Sequence, residues 1–176
     1  MELDESTRPR AAKQPDAPVT PTGRRGQMTL VAIHNHLRHE MRNVVRAVES
    51  ADADAARSLV NTMTMKHNYE ALGAFCGNYC RLLDIHHSIE DRHMFTEIGT
   101  ADPTLEPVLT RLGQEHEMIH EILVNLDNAL VRMTCDPDEM PAVLDEVHRL
   151  DTALTSHLDY EESELLEPIG RLSIEV

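Results

Sequence analysis

The stretch His86-His87-Ser88-Ile89-Glu90 decides how the chain is read. His86 and Glu90 stand four residues apart, so on a helix they are offset by about 40° and project to one side. A histidine and a carboxylate on one helical face can hold the same metal ion. The neighbouring His87 and Asp91 are rotated by about 100° and are expected to point off that face. Three other stretches repeat the theme: His34, the pair His116 and His120, and His157 with Glu161. Together they suggest a metal site inside a bundle of helices.

Outward from His86, the apolar spacing predicts a helix over about residues 68–98. Its stripe reads Leu72, Cys76, Tyr79, Leu83, His86, Glu90, His93, Glu97. Four successive polar residues at core positions are costly unless the helix end frays or something binds them. Gly99 and the Asp102-Pro103 pair close this helix. Upstream, residues 27–49 carry Leu30, His34, Leu37, Met41, Val44 and Val48 at alternating spacings of four and three. His36 and His39 fall off that stripe. A short amphipathic helix is expected over 52–65. Downstream, a helix over about 104–133 has the stripe Leu105, Leu109, Leu112, His116, Ile119, Leu123, Leu126, Leu130, Met133, with His120 at its edge. A last helix over about 139–170 has Val143, Val147, Leu150, Leu154, His157, Glu161, then Glu164 or Leu165. Pro141 suits its first turn and Pro168 its end. Four long helices with short connections predict an all-α, antiparallel up-down-up-down four-helix bundle.

Composition agrees. The 176 residues suffice for one domain with a substantial core, and 7 Gly, no Trp and 2 Phe favour helix over sheet. A net charge of −15 argues against a nucleic-acid or anionic-membrane surface. No apolar run approaches the roughly 18 residues of a membrane span. The start of the chain lacks a signal-peptide core, so a cytoplasmic location is expected. Residues 1–26, with Pro9, Pro15, Pro18 and Pro21 among charged and small residues, read as a disordered tail ahead of a domain over 27–170. Cys76, Cys80 and Cys135 form neither a CxxC pair nor a disulfide framework.

The bland alternative is a set of hydrogen-bonded core histidines. A single HisxxxGlu pair says little, but the chain has four, at 36–40, 86–90, 93–97 and 157–161. Each long helix places a histidine inside an aliphatic stripe, and two add an in-register glutamate. Burying them without metal would demand a fully satisfied polar network. Their heights agree too, because His34 lies near the start of its helix, His86 near the end, His116 in a first half and His157 in a second half. In an antiparallel bundle those positions share one layer. Five histidines and two glutamates exceed one tetrahedral ion. Two ions bridged by Glu90 and Glu161 would use all seven, and imidazole with carboxylate suits Fe, Mn or Zn.

The segments Ile33-His34-Asn35-His36-Leu37-Arg38, residues 86–91, Glu115-His116-Glu117-Met118-Ile119-His120 and residues 157–162 resemble the hemerythrin family with its HHE cation-binding domain. The similarity covers about residues 28–170. It implies a four-helix bundle with a carboxylate- and oxo-bridged non-haem di-iron site, and reversible O2 binding or sensing. The implied ligands are His34, His86, Glu90, His116, His120, His157 and Glu161. Three departures stand out. Oxygen-carrying members place the last carboxylate five residues after its histidine, where this chain has Glu162; register favours Glu161. His120, often missing from bacterial members, is either a ligand or an outer hydrogen-bonding group. Thr96 replaces a proline that the family often has; a longer helix there would bring His93 and Glu97 near the site, and the alternative is that both belong to a solvated helix end.

Two function classes follow. One is a di-iron protein that binds or reports O2, nitric oxide or iron, with Leu83, Leu112, Ile119 and Leu154 lining a dry pocket. The other is a di-iron enzyme that degrades peroxide or reduces oxygen, with Tyr79 or His93 as proton donor.

Overall fold

The computed structural model describes residues 5–14, 16–57 and 62–176. Every long element is a helix, and no strand occurs among the described residues. The first rod is α1, Pro21–Arg57. The second is α2, Thr62–Ile89, which runs through a π-helical turn, Glu90–Met94, into α3, Phe95–Ala101. A 3-10 turn at Pro103–Leu105 leads to α4, Glu106–Cys135, and another at Pro137–Glu139 leads to α5, Met140–Leu172. None of these helices is long and apolar enough to cross a membrane, among the described residues.

The stripes become the interior. On α1, Leu30, His34, Leu37, Met41, Val44 and Val48 are all buried, whereas His36 and His39 are exposed. The stripes of α4 and α5 are buried throughout, including both Glu164 and Leu165. The start of α1 lies beside the end of α5. There Gly23 faces the Gly170 carbonyl so closely that a Cβ would overlap it.

Three boundaries differ from the expectation. Helix α1 begins at Pro21 rather than 27, because Thr20 caps it, its Oγ1 accepting from the Gly23 amide at 3.0 Å. Pro21 then fills a first-turn position where its missing N–H has no partner to lose. The expected short helix over 52–65 is split: its two ends belong to α1 and α2, and residues 58–61 lie outside the described residues. The third is the π-helical turn. It adds a residue to one turn, so beyond it the buried stripe shifts. Met94, Phe95 and Ile98 are buried where His93 and Glu97 were expected, and those two are exposed.

The stretch before α1 lies against the bundle from Glu5 onward, with residues 1–4 and 15 outside the described residues. Arg8 reaches Glu115 on α4, and Arg10 reaches Glu164 on α5. Both carboxylates are fully buried and need cationic partners there.

Inside, the apolar residues form two bodies. One runs from Leu37, Leu83, Ile119 and Leu158 to Val48, Met133 and Met140. The other gathers Leu30, Met94, Leu105, Leu112, Tyr160 and Ile169. A polar layer separates them.

Candidate metal centre

That layer receives His34 from α1, His86 and His87 from the last turn of α2, and Glu90 from the first residue of the π-helical turn. Helix α4 brings His116, and α5 brings His157 and Glu161. All seven are buried, with His34, His157 and Glu161 at 0% exposure. Their ligand atoms fall into overlapping groups with metal-binding spacing: His34, His86 and Glu90; His87, His116 and His157; and Glu90, His116 and Glu161.

The outward ring nitrogens show how the inward ones are set. His34 Nδ1 lies 3.0 Å from Glu162 Oε1, His116 Nδ1 2.9 Å from Asp91 Oδ1, and His157 Nδ1 3.2 Å from Glu115 Oε2. A carboxylate only accepts, so each Nδ1 carries the proton and each Nε2 is left with its lone pair facing the layer. Metal-ligating histidines are oriented in this way. Glu162 is itself held by Arg38 at 2.7 Å.

The inward atoms have little to bond to. Nε2 of His34, His86 and His87 and both oxygens of Glu90 and of Glu161 are buried without a hydrogen-bond partner. His116 Nε2 and His157 Nε2 face one another at 3.1 Å, an approach at which two lone pairs repel. Glu90 Oε1 lies 3.2 Å from His86 Nε2 and 3.8 Å from His34 Nε2, while Oε2 lies 3.6 Å from His116 Nε2. Its two oxygens therefore serve different imidazole sets. Glu161 Oε2 sits between His34 Nε2 at 3.5 Å and His157 Nε2 at 3.8 Å.

Burial dominates the electrostatics. It pushes His34 and His86 down to about 3 and His157 to about 4, with neighbouring imidazoles adding to the effect, and it lowers His87 well below the ordinary range. The two inner carboxyls move the other way. Burial raises Glu90 well above the carboxylate range, helped by the adjacent Glu161 charge, and raises Glu161 to about 8, helped by Glu162. Glu115 differs: burial would raise it, but hydrogen bonds from His157, Arg8 and Arg111 outweigh that and hold it at about 2. Neutral imidazoles and carboxyls that resist ionising without a counter-charge make a donor set that a divalent or trivalent cation would satisfy.

Six of the seven residues singled out from sequence meet in this layer; His120 does not. Its side chain is 61% exposed and its Nδ1 lies 3.2 Å from Asp84 Oδ1. His87 takes the inward place instead, a correction to its off-stripe reading. The end of α2 meets both α1 and α4, so two adjacent residues each face a neighbour. His86 lies edge-on to His34 with centroids 5.4 Å apart, and His87 stacks on His116 at 4.0 Å. Glu115 also escaped the sequence reading, although it stands three residues after Leu112 and four before Ile119, on the buried stripe. Tyr79 donates to the Leu37 carbonyl at 3.2 Å, within the larger apolar body. An open cleft of about 390 Å³ is lined by Asp84, Asp91, Glu117 and His120 and floored by His87 and His116.

Residues 26–169 match the family model described as the hemerythrin HHE cation-binding domain. No curated protein and no solved structure matches the chain.

Proposed function

Since the chain belongs to the hemerythrin HHE cation-binding family, we propose that it is a di-iron protein that binds or senses O2, nitric oxide or iron in the buried His/Glu layer. The observation that carries this reading is the pair of oxygens on Glu90, each turned toward a different imidazole set with no hydrogen bond of its own. One ion would be held by His34 and His86, the other by His116 and His157 with His87 in the place first given to His120. Glu90 and Glu161 would span both. Manganese and zinc share this ligand preference; iron is chosen because its two accessible oxidation states supply reversible electron transfer to a small diatomic ligand.

The chain's own residues do the rest. Glu162, Asp91 and Glu115 hold three imidazoles in the tautomer that presents Nε2 inward. Leu83, Leu112, Ile119 and Leu154, buried one turn from the ligands on their own helices, would keep bulk water from the layer except where the cleft meets His87 and His116. The helix path we propose is up-down-up-down and antiparallel, in keeping with the start of α1 lying beside the end of α5. We place the protein in the cytoplasm.

The second reading, an enzyme that turns over peroxide, is favoured by one observation. The open cleft reaches His87 and His116, and Asp91 within it bonds His116 Nδ1, a path by which protons could travel. Against it, the proton donors suggested by sequence are engaged or distant: Tyr79 holds a backbone carbonyl and His93 is exposed.

Metal content with absorption spectra through reduction and re-oxidation tests the proposal. It requires about two iron ions per chain, as in helix-bundle di-iron sites, and near-ultraviolet bands that bleach and return. No iron, or one zinc, in protein produced with ample iron would defeat it. Steady oxygen evolution from added peroxide would select the enzyme reading.

A further inference from the structure

Arg8 lies in a segment whose composition reads as a tail, yet its side chain is only 5% exposed. Its Nε donates to Glu115 Oε1 at 2.8 Å and its Nη2 to Glu115 Oε2 at 2.9 Å, a two-point grip on one carboxylate. The guanidinium sits 4.7 Å from the centre of the Tyr160 ring, and the Tyr160 hydroxyl donates to the Pro9 carbonyl at 2.8 Å. Arg10 and the Ala11 amide both bond Glu164, at 2.7 Å each. The leader is thus fastened to α4 and α5 at several points beside the polar layer.

Glu115 is the link inward. It has no exposed surface, and its Oε2 accepts from both Arg8 and His157 Nδ1. Arg111, one turn earlier on the same helix, bonds Oε1 at 2.8 Å. With Arg8 gone, Arg111 would be left to draw the carboxylate along α4, away from His157. We propose that Arg8 is a positioning residue of the metal centre: through Glu115 it fixes the ring of His157, so that the leader governs how long metal is retained. A lysine cannot reproduce this, because a point charge cannot grip both oxygens.

The inference rests on the metal-binding reading, and two measurements keep their failures apart. The first uses the full chain loaded with Co(II), following visible absorption as the metal passes to excess EDTA. Changing a partner behind a ligating histidine typically alters metal affinity about 10- to 100-fold. Arg8→Ala should therefore release Co(II) at least about tenfold faster, with a changed visible spectrum, and Arg8→Lys should fall between it and wild type. Arg10→Ala, which leaves Glu164 with the Ala11 amide and does not touch Glu115, should stay within about twofold. The second measurement needs no metal. In metal-free protein, the His157 Nδ1 proton should give a downfield, slowly exchanging NMR signal that Arg8→Ala abolishes. Release from Arg8→Ala at the wild-type rate, an Arg10→Ala effect as large as that of Arg8→Ala, or persistence of the ring-proton signal would each overturn the proposal. If Arg8→Ala does not fold, Arg8→Lys carries the test, and wild-type release from it is the refuting result. Wild type that takes up no Co(II) would defeat the metal reading itself, leaving the ring-proton signal to decide the role of Arg8.

Discussion

Replacing Glu161 by Gln should stabilise the metal-free protein while weakening the metal-loaded one. Glu161 is fully buried, both its oxygens lack hydrogen-bond partners, and its ionisation is pushed up to about 8. At pH 7 the unfolded chain carries an ionised carboxylate there and the folded metal-free chain a protonated one. Folding then takes up a proton across about 2.5 pH units, which costs about 3 kcal/mol. Glutamine has no proton to take up but retains a buried amide, so the net gain is about 2 kcal/mol. For a chain of this length that raises the unfolding midpoint by about 4–8 °C. At pH 4.5, where Glu161 is protonated in the folded chain and already half protonated in the unfolded one, the cost falls to about 0.4 kcal/mol and the gain should vanish. With metal present the sign should reverse, because a carboxylate that would hold the cation is lost, and affinity should fall by more than the roughly 10- to 100-fold seen when only an outer partner is removed. Thermal denaturation of chelator-treated wild type and Glu161→Gln at pH 4.5 and 7, with iron titrations alongside, gives both halves. A lowered midpoint for metal-free Glu161→Gln at pH 7 would show that Glu161 is already satisfied in the empty layer, and the reasoning would fail.

Three further outcomes are expected. His87→Ala should lower metal content per chain, whereas His120→Ala, truncating an exposed side chain, should leave it unchanged; equal effects in a metal assay would contradict the placement of these histidines. The metal-free protein should be most stable near about pH 6.5, where the roughly two protons still bound by the four histidines of the unfolded chain match the two held by Glu90 and Glu161 in the folded one. His34, His86, His87 and His157 have lowered folded-state values, so the stability they lend above the ordinary 6.5 is lost as pH falls from there toward about 3. Glu90 and Glu161 have raised values, so the stability they lend below 4.5 is lost as pH rises, through about 8 for Glu161. Denaturation midpoints across that range read both limbs, and metal should remove the alkaline one. Gly23→Ala should destabilise by about 1–2 kcal/mol, because the added methyl meets the backbone carbonyl of Gly170. Gly73→Ala, with nothing within 4 Å, should instead stabilise by about 0.5–1 kcal/mol, and urea titrations of the two variants beside wild type check both signs.

The long stripes were legible because burial selects apolar side chains at a fixed spacing. His34, His86, His116 and His157 interrupted those stripes, which is what made them visible. The π-helical turn was not legible, since Glu90–Met94 differs from an α-helical turn in hydrogen-bond register rather than in composition. A straight α-helical stripe runs through His93 and Glu97, whereas the shifted one runs through Met94 and Ile98 and leaves the other two in solvent, the alternative that the sequence leaves open for them. His87 lies outside a stripe one residue wide, whereas the end of α2 touches neighbours on two sides, His34 through His86 and His116 through His87. His120 was included on its resemblance to a family ligand and on its edge position, and the helix turns it out to Asp84. Arg8 lies beyond local reading, as its partner is 107 residues away.

The polar layer also parts the apolar interior into two bodies, and this bears on how the molecule coheres. Each body has its own oil-like cohesion, but between them the cross-section of α1, α2, α4 and α5 is tied only at its rim, by His34–Glu162, His116–Asp91 and His157–Glu115, while the inward atoms of His34, His86, His87, Glu90 and Glu161 lack partners. Without an ion that cross-section is a fault plane, and the halves on either side can loosen as separate cooperative units. With ions in place it becomes a weld, joining four helices at one height through bonds stronger than any packing contact nearby. Cation supply would then set the rigidity of the whole rod, and the protein would register the ion as a change in stiffness.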